Sequence, residues 1–302
     1  MRIAVTGRSG QLVTSLLERG AATGHEVIAI GRPQLDLSDP TSVAPALEGA
    51  APDVIVSAAA YTAVDKAESE SGLAHAINGA GAGTVAEAAR TLGVPLVHIS
   101  TDYVFDGTSE RPYVESDPTG PTGVYGASKL AGEQAVLTAH GDNSAILRVA
   151  WVYSPFGANF VKTMLRLAGE RDEIAVVADQ LGNPTSALDI AEGILLVATN
   201  MVSDSSPALR GIFHMTASGE ASWTDFAEAI FAASVARGGP SAQVRRITTA
   251  DYPTPATRPA NSRLDCGLIA RVHAVDLPDW RQSLGRVIEH LQLSGLAERT
   301  KA

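Results

Sequence analysis

Five short apolar runs, at residues 3–6, 26–30, 53–57, 96–99 and 145–149, alternate with stretches whose apolar residues recur at helical spacing. Strand followed by helix, repeated four times, admits few architectures, and an open α/β sheet is the economical one. The first unit is the most informative. Residues 3–6 stop at Gly7, Arg8, Ser9 and Gly10, and residues 11–19 follow with Leu12, Leu16 and Leu17 at helical spacing. A glycine turn placed there lets backbone N–H groups and the positive end of the helix face a pyrophosphate without side chains in the way. The third glycine of the usual dinucleotide fingerprint is absent, since Val13 stands in its place. That substitution is expected to widen the helix-to-sheet contact or shift the turn.

The second strand ends at Gly31 and Arg32, where the adenosine ribose lies in a dinucleotide fold. An acidic residue there would bond a free 2′-hydroxyl; Arg32, helped by Arg8, favours a 2′-phosphate and hence NADPH over NADH. The alternative is that both arginines are solvated surface charges. Asp36 and Leu37 follow in a short loop that can edge the adenine. Beyond the third strand, Ala58, Ala59, Ala60, Tyr61 and Thr62 let the backbone approach a cofactor, although tight packing alone would also use small residues. Residues 67–92 carry an alanine-rich helical pattern interrupted by Gly79, Gly81 and Gly83. Asn78 within it either braces nearby backbone or is locally satisfied.

The fourth strand delivers Ser100, Thr101 and Asp102 to its carboxyl end, where ligands of open parallel sheets bind. Residues 107–123, rich in glycine and proline, form a loop long enough to act as a functional cover. Tyr125 and Lys129 then lie four apart, on one helical face. A free phenol, with a pKa of ~10, is a poor proton relay at neutral pH, and an ammonium beside it favours the phenolate. Thr101 adds a second hydroxyl. The unspecialised reading of the pair is a packed phenol and a solvated ammonium.

After Trp151 the alternation loosens into helices expected at 159–167, 187–198, 223–236 and 279–293 and a strand at 174–177. Residues 252–263 are too rich in proline for a helix and are expected to cross a surface. The expected division is a nucleotide-binding domain at 1–150 and, at 151–302, mainly a cap, some segments of which return to the sheet. Trp223 reads as an ordinary core aromatic, whereas Arg258, Asn261 and Arg263 read either as surface residues satisfying a loop or as groups with a role in the cap or near the diphosphate.

Composition narrows the function. The chain has 302 residues, a single cysteine, and 23 Lys plus Arg against 33 Asp plus Glu, with no basic run to track a phosphate backbone. Nucleic acid is not an expected partner, a thiolate metal cluster is excluded, and no apolar stretch approaches the ~20 residues of a membrane span. A cytoplasmic location is expected.

These residues resemble the extended short-chain dehydrogenase/reductases, through Gly7, Gly10, Thr101, Tyr125 and Lys129. Within that group the likeness is to the dTDP-4-dehydrorhamnose reductase branch. It rests on residues 58–68 (AAAYTAVDKAE), 100–107 (STDYVFDG), 125–133 (YGASKLAGE), 151–153 (WVY), 179–185 (DQLGNPT) and 258–264 (RPANSRL). The resemblance implies a Rossmann-type doubly wound parallel sheet with a smaller α/β substrate-binding cap. It implies reduction of the C4 ketone of dTDP-4-dehydro-L-rhamnose by NADPH or NADH, with Tyr125 as proton donor. Lys129 would lower the phenol pKa and hold the nicotinamide ribose, and Thr101 would bond the reacting oxygen.

The same likeness puts Gly10, Gln11 and Leu12 at the pyrophosphate, Asp36 and Leu37 at the adenine, and Ala60, Tyr61 and Thr62 along the cofactor. Asp102 and Trp151 would then contact the dTDP-sugar; Tyr103, Arg258 and Asn261 are further candidates for binding it. Some relatives join two subunits through a magnesium ion held by glutamates; Ser15 and the 187–189 region stand at two of those positions, so no metal and a monomer or weak homodimer are expected. Two other readings remain: a noncatalytic subunit like the regulatory subunit of methionine adenosyltransferase, and a reductase of another nucleotide sugar.

Overall fold

The computed structural model describes residues 1–299, with side chains as far as residue 293. Its centre is a parallel sheet of β1 (Arg2–Thr6), β2 (Glu26–Ile30), β3 (Val54–Ser57), β4 (Leu96–Thr101), β5 (Ser144–Val149) and the Gly211–His214 strand. In space they run β2, β1, β3, β4, β5 and Gly211–His214. Every pairing is parallel, as each strand is reached by a crossover rather than a hairpin. The chain steps from β1 out to β2, then returns to β3 on the other side of β1. That reversal opens a crevice at the carboxyl ends of β1 and β3, where ligands bind in sheets of this kind.

Both faces of the sheet are covered, by helices α1 (Gln11–Ala22), α2 (Pro40–Ala50), α3 (Gly81–Leu92), α4 (Val124–His140) and, after α5 (Phe160–Ala168), α6 (Ala187–Ser203). Alternate residues of each strand point to opposite faces. Ile3 and Val5 with Val54 and Val56 meet Val13 and Leu16 of α1 and Ile190 and Ile194 of α6. Ala4 and Ile55 with Leu96 and Ile146 meet Val43 and Leu47 of α2 and Val85 and Ala89 of α3. Each fully buried Ile, Leu or Val of this kind contributes ~1.5–3 kcal/mol. Val13, in place of a glycine, is 2% exposed and absorbed into the first of these cores.

The second core lies in the cap, where α5, α7 (Trp223–Val235) and α8 (Trp280–Arg299) pack around Ile174, Val176, Phe226, Ile230 and Trp280. The strands there, Glu173–Val177 and Gln243–Ile247, pair in parallel. Residues 187–214 do not stay in the cap: α6 covers the central sheet and Gly211–His214 completes its edge beside β5.

Three local expectations are corrected. Residues 67–92 are not one helix; Ser71–His75 leads into a π-helical turn, Ala76–Ala80, before α3. Packing around it is close: a Cβ on Gly81 would lie 2.6 Å from the Leu37 carbonyl oxygen, and one on Gly132 of α4 2.1 Å from that of Asn78. Residues 107–123 are tied down rather than free to cover a site. Tyr113 stacks on Phe105 with ring centroids 4.2 Å apart, its hydroxyl donates to Asp106 at 2.7 Å, and its N–H bonds Arg263. Glu115 accepts the His214 N–H at 2.9 Å. Residues 252–263 start at the surface with Tyr252, 61% exposed, but end buried between the two lobes at Asn261 and Ser262.

Candidate active site

The turn at the end of β1 is open as the sequence requires. Gly7 has φ +108°, a conformation L side chains rarely adopt, and a Cβ on Gly10 would meet nothing within 4 Å. Gly10 caps α1 without any side-chain hydrogen bond, so the helix end presents its N–H groups outward. Across the crevice, the Thr6 hydroxyl accepts from the N–H groups of Ala58 and Ala59, both at 3.0 Å, which fixes the small-residue segment beside the turn. Arg8 lies over Gly31, makes only long contacts to the Arg32 carbonyl and Gln34 at 3.5 and 3.4 Å, and is exposed with Ser9 and Arg32. Open backbone, a capless helix end and two exposed cations fit a dinucleotide phosphate. Asp36 spends one oxygen on Ser38, and the Leu37 side chain is buried in the core.

Asn78 joins this cradle to α4. Its amide accepts from the Tyr61 N–H at 2.7 Å and donates to the Tyr61 carbonyl and to the Ser128 hydroxyl, which in turn donates to the Tyr125 carbonyl. The π-helical turn is what aims it there. Tyr61 also donates its phenol to Glu70 at 2.7 Å, Thr62 is exposed, and Leu12 packs partly buried against the sheet core.

Thr101 ends β4 and Tyr125 lies in the first turn of α4, at the same carboxyl edge of the sheet. Thr101 donates to Asp102 at 2.8 Å and accepts from the Tyr103 N–H at 3.2 Å. The Tyr103 ring meets Tyr125 edge-on at 5.6 Å. Lys129, one turn on, is buried and donates to the Ile99 carbonyl at 2.6 Å. One further turn brings Glu133, which accepts from Ser100 at 2.5 Å and twice from Arg148, at 2.9 and 2.7 Å. Tyr125, Lys129 and Glu133 therefore share one face of α4.

The electrostatics correct one expectation. The Tyr125 phenol is not drawn toward ionisation; loss of hydration and the Asp102 carboxylate raise it. The Lys129 ammonium is instead committed to a backbone carbonyl, and burial lowers it to about 8 against support from Glu133. Asp102, 3% exposed, is raised by burial to about 7, opposed by the hydrogen bond from Thr101.

At the exit of β5, Trp151 sits at φ +45°, unusual for so bulky a residue. Its indole stacks on Trp223 of α7 with centroids 3.6 Å apart and planes 5° from parallel, and donates to the Ser262 hydroxyl at 3.0 Å. Trp223 is thus no ordinary core aromatic; it carries Trp151, and its own N–H bonds Gln180. Arg258 pairs with Asp65 at 2.7 Å beside Tyr103. Asn261 is corrected outright as a ligand contact. Both its N–H bonds are given to the carbonyls of Ser109 and Arg111 and its oxygen takes the N–H and Nε of Arg263, so its amide is saturated by the protein. Sequence reading passed over Glu133 and Arg148, whose signal was a charge eight residues after Tyr125 and another inside an apolar strand. Trp223 and Ser262 offered no such signal.

Comparison with known proteins gives a concordant picture. Residues 1–293 match the family model described as the RmlD substrate binding domain. A dTDP-4-dehydrorhamnose reductase of Sinorhizobium fredii is 52% identical over 295 residues, covering 98% of this chain and 99% of that protein. A crystal structure of a dTDP-4-dehydrorhamnose reductase from Clostridium acetobutylicum superposes with a TM-score of 0.89 at 37% identity, covering 97% of this chain and all of that one. One from Bacillus anthracis, in complex with NADP, gives 0.87 at 36% identity over 96% and 99% of the two chains.

Proposed function

The chain belongs to the RmlD substrate binding domain family, and on that premise we propose that it reduces the C4 ketone of dTDP-4-dehydro-L-rhamnose to dTDP-L-rhamnose, using NADPH. The observation that carries this reading is the meeting of Thr101, Tyr125 and Lys129 at the carboxyl edge of the sheet, next to an open glycine turn. Gly7 to Leu12 would hold the pyrophosphate, Arg8 and Arg32 the 2′-phosphate, and residues 58–62 the remainder of the dinucleotide. When bound, the reduced dinucleotide supplies the hydride.

The protein supplies the proton. Tyr125 carries its hydrogen at neutral pH, as any phenol does, and burial holds it more firmly, so the proton leaves only as an alkoxide, a strong base, forms at C4. Thr101 has one proton, held by Asp102 at 2.8 Å; turned from Asp102 to the same oxygen or to the phenolate left behind, it would limit the charge that builds up. Lys129, with a pKa of about 8, exchanges protons near neutrality on the same helical face and returns positive charge to the site. Asp102, Tyr103 and Trp151 are assigned to the sugar nucleotide, and Arg258 to its diphosphate, which it would take in exchange for Asp65.

A cytoplasmic enzyme, monomeric or weakly dimeric, completes the reading. Its lone thiol, Cys266, bonds Thr216 and suits a reducing compartment. The positions of a metal-linked dimer are otherwise engaged: Ser15 donates to the Gln11 carbonyl, and Asp189 is taken by Ser283 and Arg286. The test follows NADPH absorbance with dTDP-4-dehydro-L-rhamnose in the wild type and in Tyr125→Phe. Absence of turnover by the wild type refutes the activity, and full turnover by the variant removes Tyr125 as the acid; a loss of ~10²–10⁴ in kcat is expected.

A further inference from the structure

Gln11 faces two ways. Its backbone is the first residue of α1, in the turn assigned above to the pyrophosphate. Its side-chain carbonyl reaches across to the cap and accepts from the Ser154 hydroxyl and from the Asn159 amide, both at 3.0 Å. The Asn159 amide is the dedicated donor to that oxygen, and the Ser154 hydroxyl a shared one.

The segment it holds is compact. Ser154, fully buried, shares its one hydroxyl proton between Gln11 and the Phe156 carbonyl at 2.8 Å and accepts the Phe156 N–H, while Asn159 donates to the Ser154 carbonyl at 2.8 Å. Gly157, at φ +62°, comes so close that a Cβ there would lie 3.3 Å from Gln11 Cγ. Asn159 is also the N-cap of α5, accepting the Lys162 N–H at 3.2 Å. Phe160, the next residue, packs on Trp223 with centroids 4.7 Å apart, and Trp223 carries Trp151. Contacts thus run unbroken from the glycine turn to the aromatic pair at the end of β5.

We propose that Gln11 is a coupling residue. By this account, a dinucleotide that fixes the turn also fixes the anchor of residues 154–159, so that dinucleotide and nucleoside diphosphate bind with mutual reinforcement. The inference rests on the dinucleotide reading of the turn. Its physical basis is ordering: whichever ligand binds first meets the entropic cost of fixing the shared segment, and the second binds without it. Linkage makes the effect reciprocal, so dTDP tightens NADP⁺ by the factor that NADP⁺ tightens dTDP.

The experiment measures dTDP binding by calorimetry to the full chain, with and without saturating NADP⁺. It compares the wild type with Ser154→Ala and with Asn159→Asp, which keeps the α5 cap but loses the donor to Gln11. Hydrogen exchange of residues 154–168 is followed in parallel. The wild type is expected to bind dTDP at least ~5-fold more tightly with NADP⁺ present, and to gain protection across 154–168. In both variants the factor should fall toward one and the gain in protection vanish, with NADP⁺ still bound. Absence of coupling in the wild type, or coupling unchanged in the variants, overturns the proposal while leaving the dinucleotide site intact. Failure of the wild type to bind NADP⁺ at all overturns the dinucleotide reading, and this inference with it.

Discussion

Replacing Asp102 with Asn is expected to stabilise the protein at pH 8 and to flatten the pH dependence of its stability. The carboxyl is 3% exposed, and burial lifts its pKa from 3.8 to about 7. In the unfolded chain the same group releases its proton near ~4. Between these values the native state keeps a proton that the unfolded state has lost, so the contribution of Asp102 to stability is fully present below pH ~4 and is lost as pH rises through 7. A shift of about three units at ~1.36 kcal/mol each sets the loss at ~4 kcal/mol. Asn cannot ionise, yet it keeps an oxygen for the Thr101 hydroxyl, which bonds Asp102 at 2.8 Å. The variant should therefore lie close to the wild type at pH 4 and exceed it by ~2–4 kcal/mol at pH 8. Urea unfolding at a series of pH values gives both curves. A difference between them that is flat, or that shrinks with rising pH, refutes the assignment of a neutral buried carboxyl beside Tyr125.

Other consequences are open to simpler measurements. Arg32→Ala should weaken NADPH more than NADH in direct binding, and equal losses would contradict a 2′-phosphate role. Gly182→Ala places a Cβ 2.3 Å from Trp151 Cε2. It should cost ~1–3 kcal/mol and separate the stacked indoles, read as loss of their coupled circular dichroism. Glu133→Ala leaves Arg148, 2% exposed, without its carboxylate, and a loss of ~3–5 kcal/mol by thermal or urea unfolding is expected.

Local signals carried most of what the sequence disclosed. The glycine turn, the alternating strands and the four-residue step from Tyr125 to Lys129 are short-range patterns, and each stands where that pattern puts it. The charge state of the phenol did not follow from the same spacing. Adjacency on a helix says that two groups share a face, but hydration and the Ile99 carbonyl decide what the ammonium does there. Asn261 was ambiguous for a related reason, because saturation of its amide depends on Ser109 and Arg111, about 150 residues away. The Trp151 and Trp223 pair, 72 residues apart, and the anchoring of loop 107–123 to the far edge strand are also long-range, and no periodicity encodes them.

The interleaving of the two lobes bears on how the chain is made. A ribosome that has released residues 1–150 has released five of the six sheet strands, yet β5 then has no neighbour on its outer side and α6 has not arrived to cover Val97 and Leu147. An open parallel edge beside an uncovered apolar face invites pairing with another nascent chain. The nucleotide-binding half consequently waits for about 60 further residues, to His214, before its surface closes. A fragment cut after Val149 is therefore expected to self-associate, and dissecting this protein calls for an internal excision of cap segments in place of a truncation.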